Sequence, residues 1–247
     1  MTTAPNFDRL ARPYRWLEYL TFGPFLHRTR LHFLPTLATL LPAHAYSPTR
    51  ALILGDGDGR FTARLLATLP HLHAHAIDIS PAMLDRLRHA AAPHSSRLTT
   101  TCADLRTCAP FIPSVGMSGV ANPPTDTPTP YSLITTHFFL DCLTTDEVSQ
   151  LVHRLTPQSI PASAQPGTLW LISEFATPPT LFGRLIARPI VHTLYLAFRL
   201  LTHLPTRTLP DYPTALRTNG WQLLHQKSHL SGLLLSQLWH LPPPNQP

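Results

Sequence analysis

Gly55, Asp56, Gly57, Asp58 and Gly59 form an alternating glycine–acid loop entered directly from the apolar run 51–54. Glycine admits positive φ and lets backbone approach a ligand where a Cβ would intrude. Between a buried strand and a helix N-terminus, such a loop is a cradle for a nucleotide-like cofactor. Asp78 closes the segment 74–79 at roughly the 20-residue spacing at which an acid accepts from ribose hydroxyls. Ser80 is already placed to cap the next helix, which leaves Asp78 for that role, with Ile79 beside it. Asp104, followed by Leu105, offers a carboxylate for an exocyclic adenine amine and a backbone N–H for a ring nitrogen; an ordinary loop aspartate is the other reading. His137, next to Thr136, lines a reaction centre, acts as a base, or packs beneath the cofactor.

These residues need strand ends to hold them, and the chain supplies an alternation of strands and helices. Strands are expected at 51–54, 74–79, 98–105, 131–138 and 168–175, with helices at 62–69, 82–91 and 144–155 between them. Thr144-Thr145-Asp146-Glu147 reads as a capping box. A helix at 211–219, closed by Gly220, leads to strands 221–230 and 233–241 around Ser231-Gly232, an antiparallel hairpin. The fold class is therefore α/β: a doubly wound, mostly parallel seven-stranded sheet with a closing hairpin and N-terminal helices.

One domain is expected over 1–247. Residues 1–48 form a helical cap broken by Pro13, Pro24, Pro35 and Pro42, and 49–180 form the cofactor-binding core. The Pro-, Ser- and Thr-rich segments 109–130 and 156–167 read as mobile surface loops, 181–204 as an apolar helical insert, 205–241 as the closing helix and hairpin, and 242–247 as a disordered tail.

Composition narrows the partners. The formal net charge is +6, but no dense basic run with interleaved aromatics appears, so no nucleic-acid partner is expected. Cys102, Cys108 and Cys142 are odd in number and make no CxxC pair; they read as buried thiols in a reducing cytoplasm, with no metal site. The N-terminus has no basic region followed by an apolar core, so no secretory signal is expected.

The order of motifs resembles the class I S-adenosylmethionine-dependent methyltransferases. Gly55, Gly57 and Gly59 match their GxGxG loop, Asp78 their ribose acid, Asp104 their adenine-side acid, and 136–140 the motif after their fourth strand. The opening Phe7-Asp8-Arg9-Leu10-Ala11…Tyr14 is similar to the ubiquinone/menaquinone-biosynthesis type, in which a tyrosine closes over the cofactor. The resemblance implies S-adenosyl-L-methionine as cofactor, held by Gly55, Asp56, Gly57, Asp58, Gly59, Asp78, Ile79, Asp104, Leu105, Thr136 and Tyr14. It also implies in-line transfer to a small acceptor, promoted mainly by positioning, with His137 the candidate catalytic residue. The family's acid two residues before the first glycine is replaced by Ile53, so either Asp56 or Asp58 substitutes for it or cofactor affinity is lower. No (D/N)PP(Y/F) sequence follows the fourth strand; Asn122-Pro123-Pro124 lies in the loop.

Two other functions stay open. A nicotinamide-dependent oxidoreductase would share strand, loop and acid, but its GxGxxG is interrupted here by Arg60. A non-catalytic binding or regulatory protein would keep the fold and lose transfer. Apolar and aromatic residues on both expected acceptor-side segments (Tyr14, Trp16, Tyr19, Phe22 and Phe25; 181–204) point to a hydrophobic acceptor or simply to mutual packing. In 181–204, Arg184, Arg188, His192, Tyr195, Arg199 and His203 share one helical stripe. Its charges argue against a bilayer span and for peripheral contact with anionic lipid.

Overall fold

A computed structural model describes residues 22, 24–41, 49–106, 130–156, 164–178, 180, 185, 189 and 209–243. Tyr14, Cys108, nearly all of the 109–130 loop, most of the 181–204 insert with its three arginines, and the 244–247 part of the tail lie outside the described residues.

Among the described residues, the short helices α1 (Phe25–Leu31) and α2 (Leu34–Leu40) precede the core. Then come β1 (Thr49–Leu54), α3 (Arg60–Thr68), β2 (Leu72–Asp78), α4 (Pro81–Ala90), β3 (Leu98–Cys102) and β4 (Tyr131–His137). The chain continues through α5 (Thr145–Leu155), β5 (Ala164–Phe175), α6 (Tyr212–Thr218), β6 (Gln222–His229) and β7 (Leu234–His240). The seven strands lie in the order β3-β2-β1-β4-β5-β7-β6, with β7 antiparallel to both neighbours and the other pairs parallel.

The central strand β1 reads as an apolar run because both its faces are covered. Leu52 and Leu54 turn to a core shared with Val148 and Leu151 of α5 and Leu216 of α6. Their neighbours Ala51 and Ile53 turn to the opposite core, with Leu37 of α2, Phe61 and Leu65 of α3, and Leu87 of α4. Burying such strands on both sides is what makes the parallel arrangement stable. From β1 the chain winds outward through β2 and β3 and then returns to β4 on the other side of β1. The sheet therefore has its switch point between the carboxyl ends of β1 and β4, where an open α/β sheet leaves a ligand crevice.

The expected caps are present. The Ser80 hydroxyl accepts from the Met83 N–H, and Thr144 and Glu147 complete a reciprocal capping box. Three expectations need correction. The third strand ends at Cys102 instead of 105, because its one partner, β2, ends opposite it at Asp78. The fifth strand starts at Ala164, inside the expected loop 156–167, because a register shift between Tyr131 and Leu133 extends its pairing with β4. Cys102 is exposed on the edge strand β3 and is not a buried thiol.

Candidate active site at the switch point

The glycine loop leaves β1 with Gly55, Gly57 and Gly59 at φ 65°, 67° and 78°. Two of these glycines are fixed by space as well as by φ. A Cβ on Gly55 would run into the ring of Phe139 from the turn after β4, and one on Gly59 into the backbone of Leu87 in α4. The Gly55 N–H donates to the Ile77 carbonyl at 3.0 Å, which ties the loop to β2. The loop thus lies flush against β2, α4 and the post-β4 turn, with positive φ at every glycine. This arrangement fits the cradle that a cofactor with a polar tail requires.

Both loop acids have partners within the chain. Ile53 is fully buried in the α2–α3–α4 core. Asp56 is buried too, and its Oδ2 accepts from the Thr62 N–H at 2.9 Å and the Thr62 hydroxyl at 2.6 Å. It staples the loop to the first turn of α3. Burial pushes its pKa up to about 6, against the opposing pull of the Thr62 hydrogen bonds and of Arg30. Asp58 is paired with Arg60 at 2.7 Å.

The remaining expected site residues fall in two groups. At the end of β2, Asp78 is half-buried and accepts from the Ser80 N–H at 2.9 Å, and Ile79 follows it at the same rim. Asp104 stands on the adjacent loop in a two-point ion pair with Arg106, whose hydrogen bonds hold its carboxyl below the usual range. In contrast, the side chains of Leu105 and Thr136 are core elements. Leu105 packs with Ile77 and Leu140, and the Thr136 hydroxyl accepts from the Trp170 indole at 3.1 Å.

His137 is a packing histidine. It points to the α3 side of the sheet, 3% exposed, edge-on to Phe61 with ring centroids 4.1 Å apart. Neither ring nitrogen has a hydrogen-bond partner among the described residues, and burial holds its pKa well below the usual value. A base must reach the proton it removes. His137 has that reach neither by exposure nor by basicity.

The turn that follows includes the end of the segment 136–140, matched in the sequence to the motif after the fourth strand. Phe138 has φ 53°, and after Phe139 the chain makes a short 3-10 turn, Leu140–Cys142. Glu174, buried at the end of β5, accepts from the Phe139 N–H at 3.0 Å and the Leu140 N–H at 2.8 Å. On the α1 side, Phe138 and Phe22 each pack on Phe175, with centroids 5.1 and 5.2 Å apart, and the Arg30 guanidinium lies 5.2 Å from the Phe138 ring. Leu26, Leu233 and Leu234 are buried in the same cluster. Phe22 and Phe25 belong to the expected apolar acceptor side; Tyr14, Trp16 and Tyr19 lie outside the described residues.

Comparison with known proteins agrees with this geometry. The family described as "Methyltransferase domain" matches residues 51–116. Malonyl-[acyl-carrier protein] O-methyltransferase of Halorhodospira halophila is 45% identical over 58 residues, which are 24% of this chain and 19% of that protein. An O-methyltransferase family 2 protein from Planctomyces limnophilus, solved in complex with apigenin, superposes with TM-score 0.59 at 19% identity over 96% of this chain and 62% of its own. An O-methyltransferase family protein from Burkholderia thailandensis gives 0.58 at 14% identity over 98% and 65%. The chain thus matches under a fifth of the curated relative and under two thirds of each solved protein. The seven-stranded sheet is the Rossmann-like methyltransferase fold.

The pH dependence of stability tests the Asp56 staple. Its folded pKa is raised from 3.8 to about 6, so its favourable contribution is complete below about pH 4 and is lost as pH rises through 6. The loss amounts to about 3 kcal/mol. Asp56→Asn keeps an acceptor for Thr62 and has no charge to bury. Urea denaturation between pH 4 and 7 should show a flatter stability profile for the variant by about that amount. An unchanged profile would contradict the assignment.

Proposed function

We propose that this chain, a member of the class I S-adenosylmethionine-dependent methyltransferase superfamily, binds that cofactor at the β1–β4 switch point and transfers its methyl group to a small, apolar acceptor. The observation that carries the reading is the Gly55–Phe139 contact, which seats a positive-φ glycine loop against the post-β4 turn at the mouth of the crevice. The backbone of 55–59 would hold the cofactor's polar tail, Asp78 and Ile79 the ribose, and the rim at Asp104 and Leu105 the adenine. Arg106 already occupies the Asp104 carboxylate, so an adenine amine there would share it. Thr136 would contribute backbone only, and Tyr14 the closing segment.

The cofactor supplies an electrophilic methyl on a sulfonium, with a neutral thioether as leaving group. Such a displacement needs the nucleophile in line with the carbon–sulfur bond, and positioning can supply much of the acceleration. The cluster of Phe22, Phe138 and Phe175 supports an apolar, ring-containing acceptor, held on the α1 side of the crevice. The O-methyltransferases among the relatives support an oxygen nucleophile. The antiparallel β7 between β5 and β6 speaks against the nicotinamide alternative. The non-catalytic alternative draws on the apolar Ile53 in place of the usual acid and on the burial of His137, the candidate base. Formation of S-adenosylhomocysteine with an acceptor separates it from transfer, whereas binding alone does not.

We place the protein in the cytoplasm, with the arginine stripe of 181–204 against the inner membrane surface. Among the described residues no helix is long and apolar enough to cross a membrane.

Two outcomes are expected. Asp78→Ala removes a charged acceptor worth about 1.5–3 kcal/mol, so calorimetry should show S-adenosylmethionine binding weakened roughly 10- to 100-fold; unaltered affinity would remove Asp78 from the site. In flotation assays the protein should rise with anionic vesicles at low salt, and the combined Arg184, Arg188 and Arg199→Glu variant should remain at the bottom. Equal behaviour of the two proteins would exclude the stripe as the contact.

A further inference from the structure

We infer that Glu174 is a positioning residue for methyl transfer: it clamps the post-β4 turn so that Phe139 closes on the glycine loop while Phe138 faces the acceptor side. The inference rests on the methyltransferase reading above.

The turn is an awkward piece of backbone. Phe138 has φ 53°, a region a non-glycine residue occupies only when its surroundings over-determine it. The end of β5 provides that determination. The Phe138 N–H donates to the Ser173 carbonyl at 2.7 Å, and the next two N–H groups, of Phe139 and Leu140, both donate to Glu174 Oε1. Three consecutive N–H groups are thereby held by two consecutive residues of one strand.

The consequence appears in the two rings. Phe139 fills the space of the missing Gly55 Cβ, and Phe138 turns the other way, onto Phe175 and beneath Arg30. One carboxyl thus fixes, through the backbone between the rings, a wall of the cofactor cradle and a wall of the apolar cluster.

A carboxyl is an expensive choice for a purely structural staple. Glu174 is 1% exposed, and its Oε2 has no hydrogen-bond partner among the described residues. Burial and the nearby Asp141, itself pushed up to about 6, raise its pKa well above the usual carboxylate value. Whatever its charge, Oε1 is the acceptor for both N–H groups. Glutamine reproduces this arrangement, and leucine keeps the bulk without the acceptor.

The experiment compares Glu174→Gln and Glu174→Leu with the wild type in the full chain. Amide hydrogen exchange at Phe139 and Leu140 without cofactor reads the clamp itself: protection should fall at least tenfold in Glu174→Leu and stay within threefold in Glu174→Gln. Calorimetry with S-adenosylhomocysteine should show affinity about tenfold weaker in the leucine variant and restored in the glutamine variant, with acceptor KM following the same order. If Glu174→Leu does not fold, Phe139→Leu takes its place and should weaken S-adenosylhomocysteine binding by itself. Wild-type-like exchange in Glu174→Leu, or affinity unchanged in the leucine variants, would overturn the inference. A wild type that binds no S-adenosylhomocysteine, yet shows the exchange pattern above, would instead refute the methyltransferase reading and leave the clamp standing.

Discussion

The contact between Gly55 and the Phe139 ring is the constraint around which this fold is organised. It joins the first residue after β1 to the turn after β4, two places that the winding of the chain brings together at the switch point of the sheet. No side chain fits at Gly55, and its φ of 65° disfavours one independently. The strands on either side must therefore end at matching heights. They do: Leu54 is in register with Ile77 of β2 and Thr136 of β4, so the three carboxyl ends form one rim.

Around that rim, buried polar groups hold backbone in place instead of meeting solvent. Asp56 fastens the glycine loop to α3 through Thr62, and Glu174 fastens the post-β4 turn to β5. Both carboxyls have pKa values raised by desolvation, a cost the fold carries on both flanks of the crevice. His137, buried against Phe61 and held neutral, belongs to the same supporting layer. Chemistry in such a site comes from where the rim places a cofactor and acceptor, which is what a displacement at an activated methyl group requires.

The parts legible in the sequence were those whose physical demands are local. Glycine at 55, 57 and 59 marks positive φ directly. Ser80-Pro81 and Thr144 to Glu147 carry their caps within four residues, and the apolar runs at 51–54 and 131–138 mark strands buried on two faces. Side-chain direction was not legible. Asp56 looked like a ligand-facing acid, but its partner is Thr62, and only the turn of the loop into α3 decides that it points inward. Glu174 on β5 and Phe139 in the turn after β4 are 35 residues apart, and no local pattern announces that they meet. The extent of β3 and β5 depended in the same way on pairing partners and not on the residues themselves.

The account's central claim is that the Gly55–Phe139 seat forms one wall of a cofactor cradle. Calorimetric titration of S-adenosylhomocysteine into the wild type and Gly55→Ala tests it most directly, with circular dichroism to confirm that both are folded. The account predicts single-site binding by the wild type and no measurable binding by the folded variant, because the added methyl group displaces Phe139 from the loop. A folded Gly55→Ala protein that binds as tightly as the wild type would contradict it.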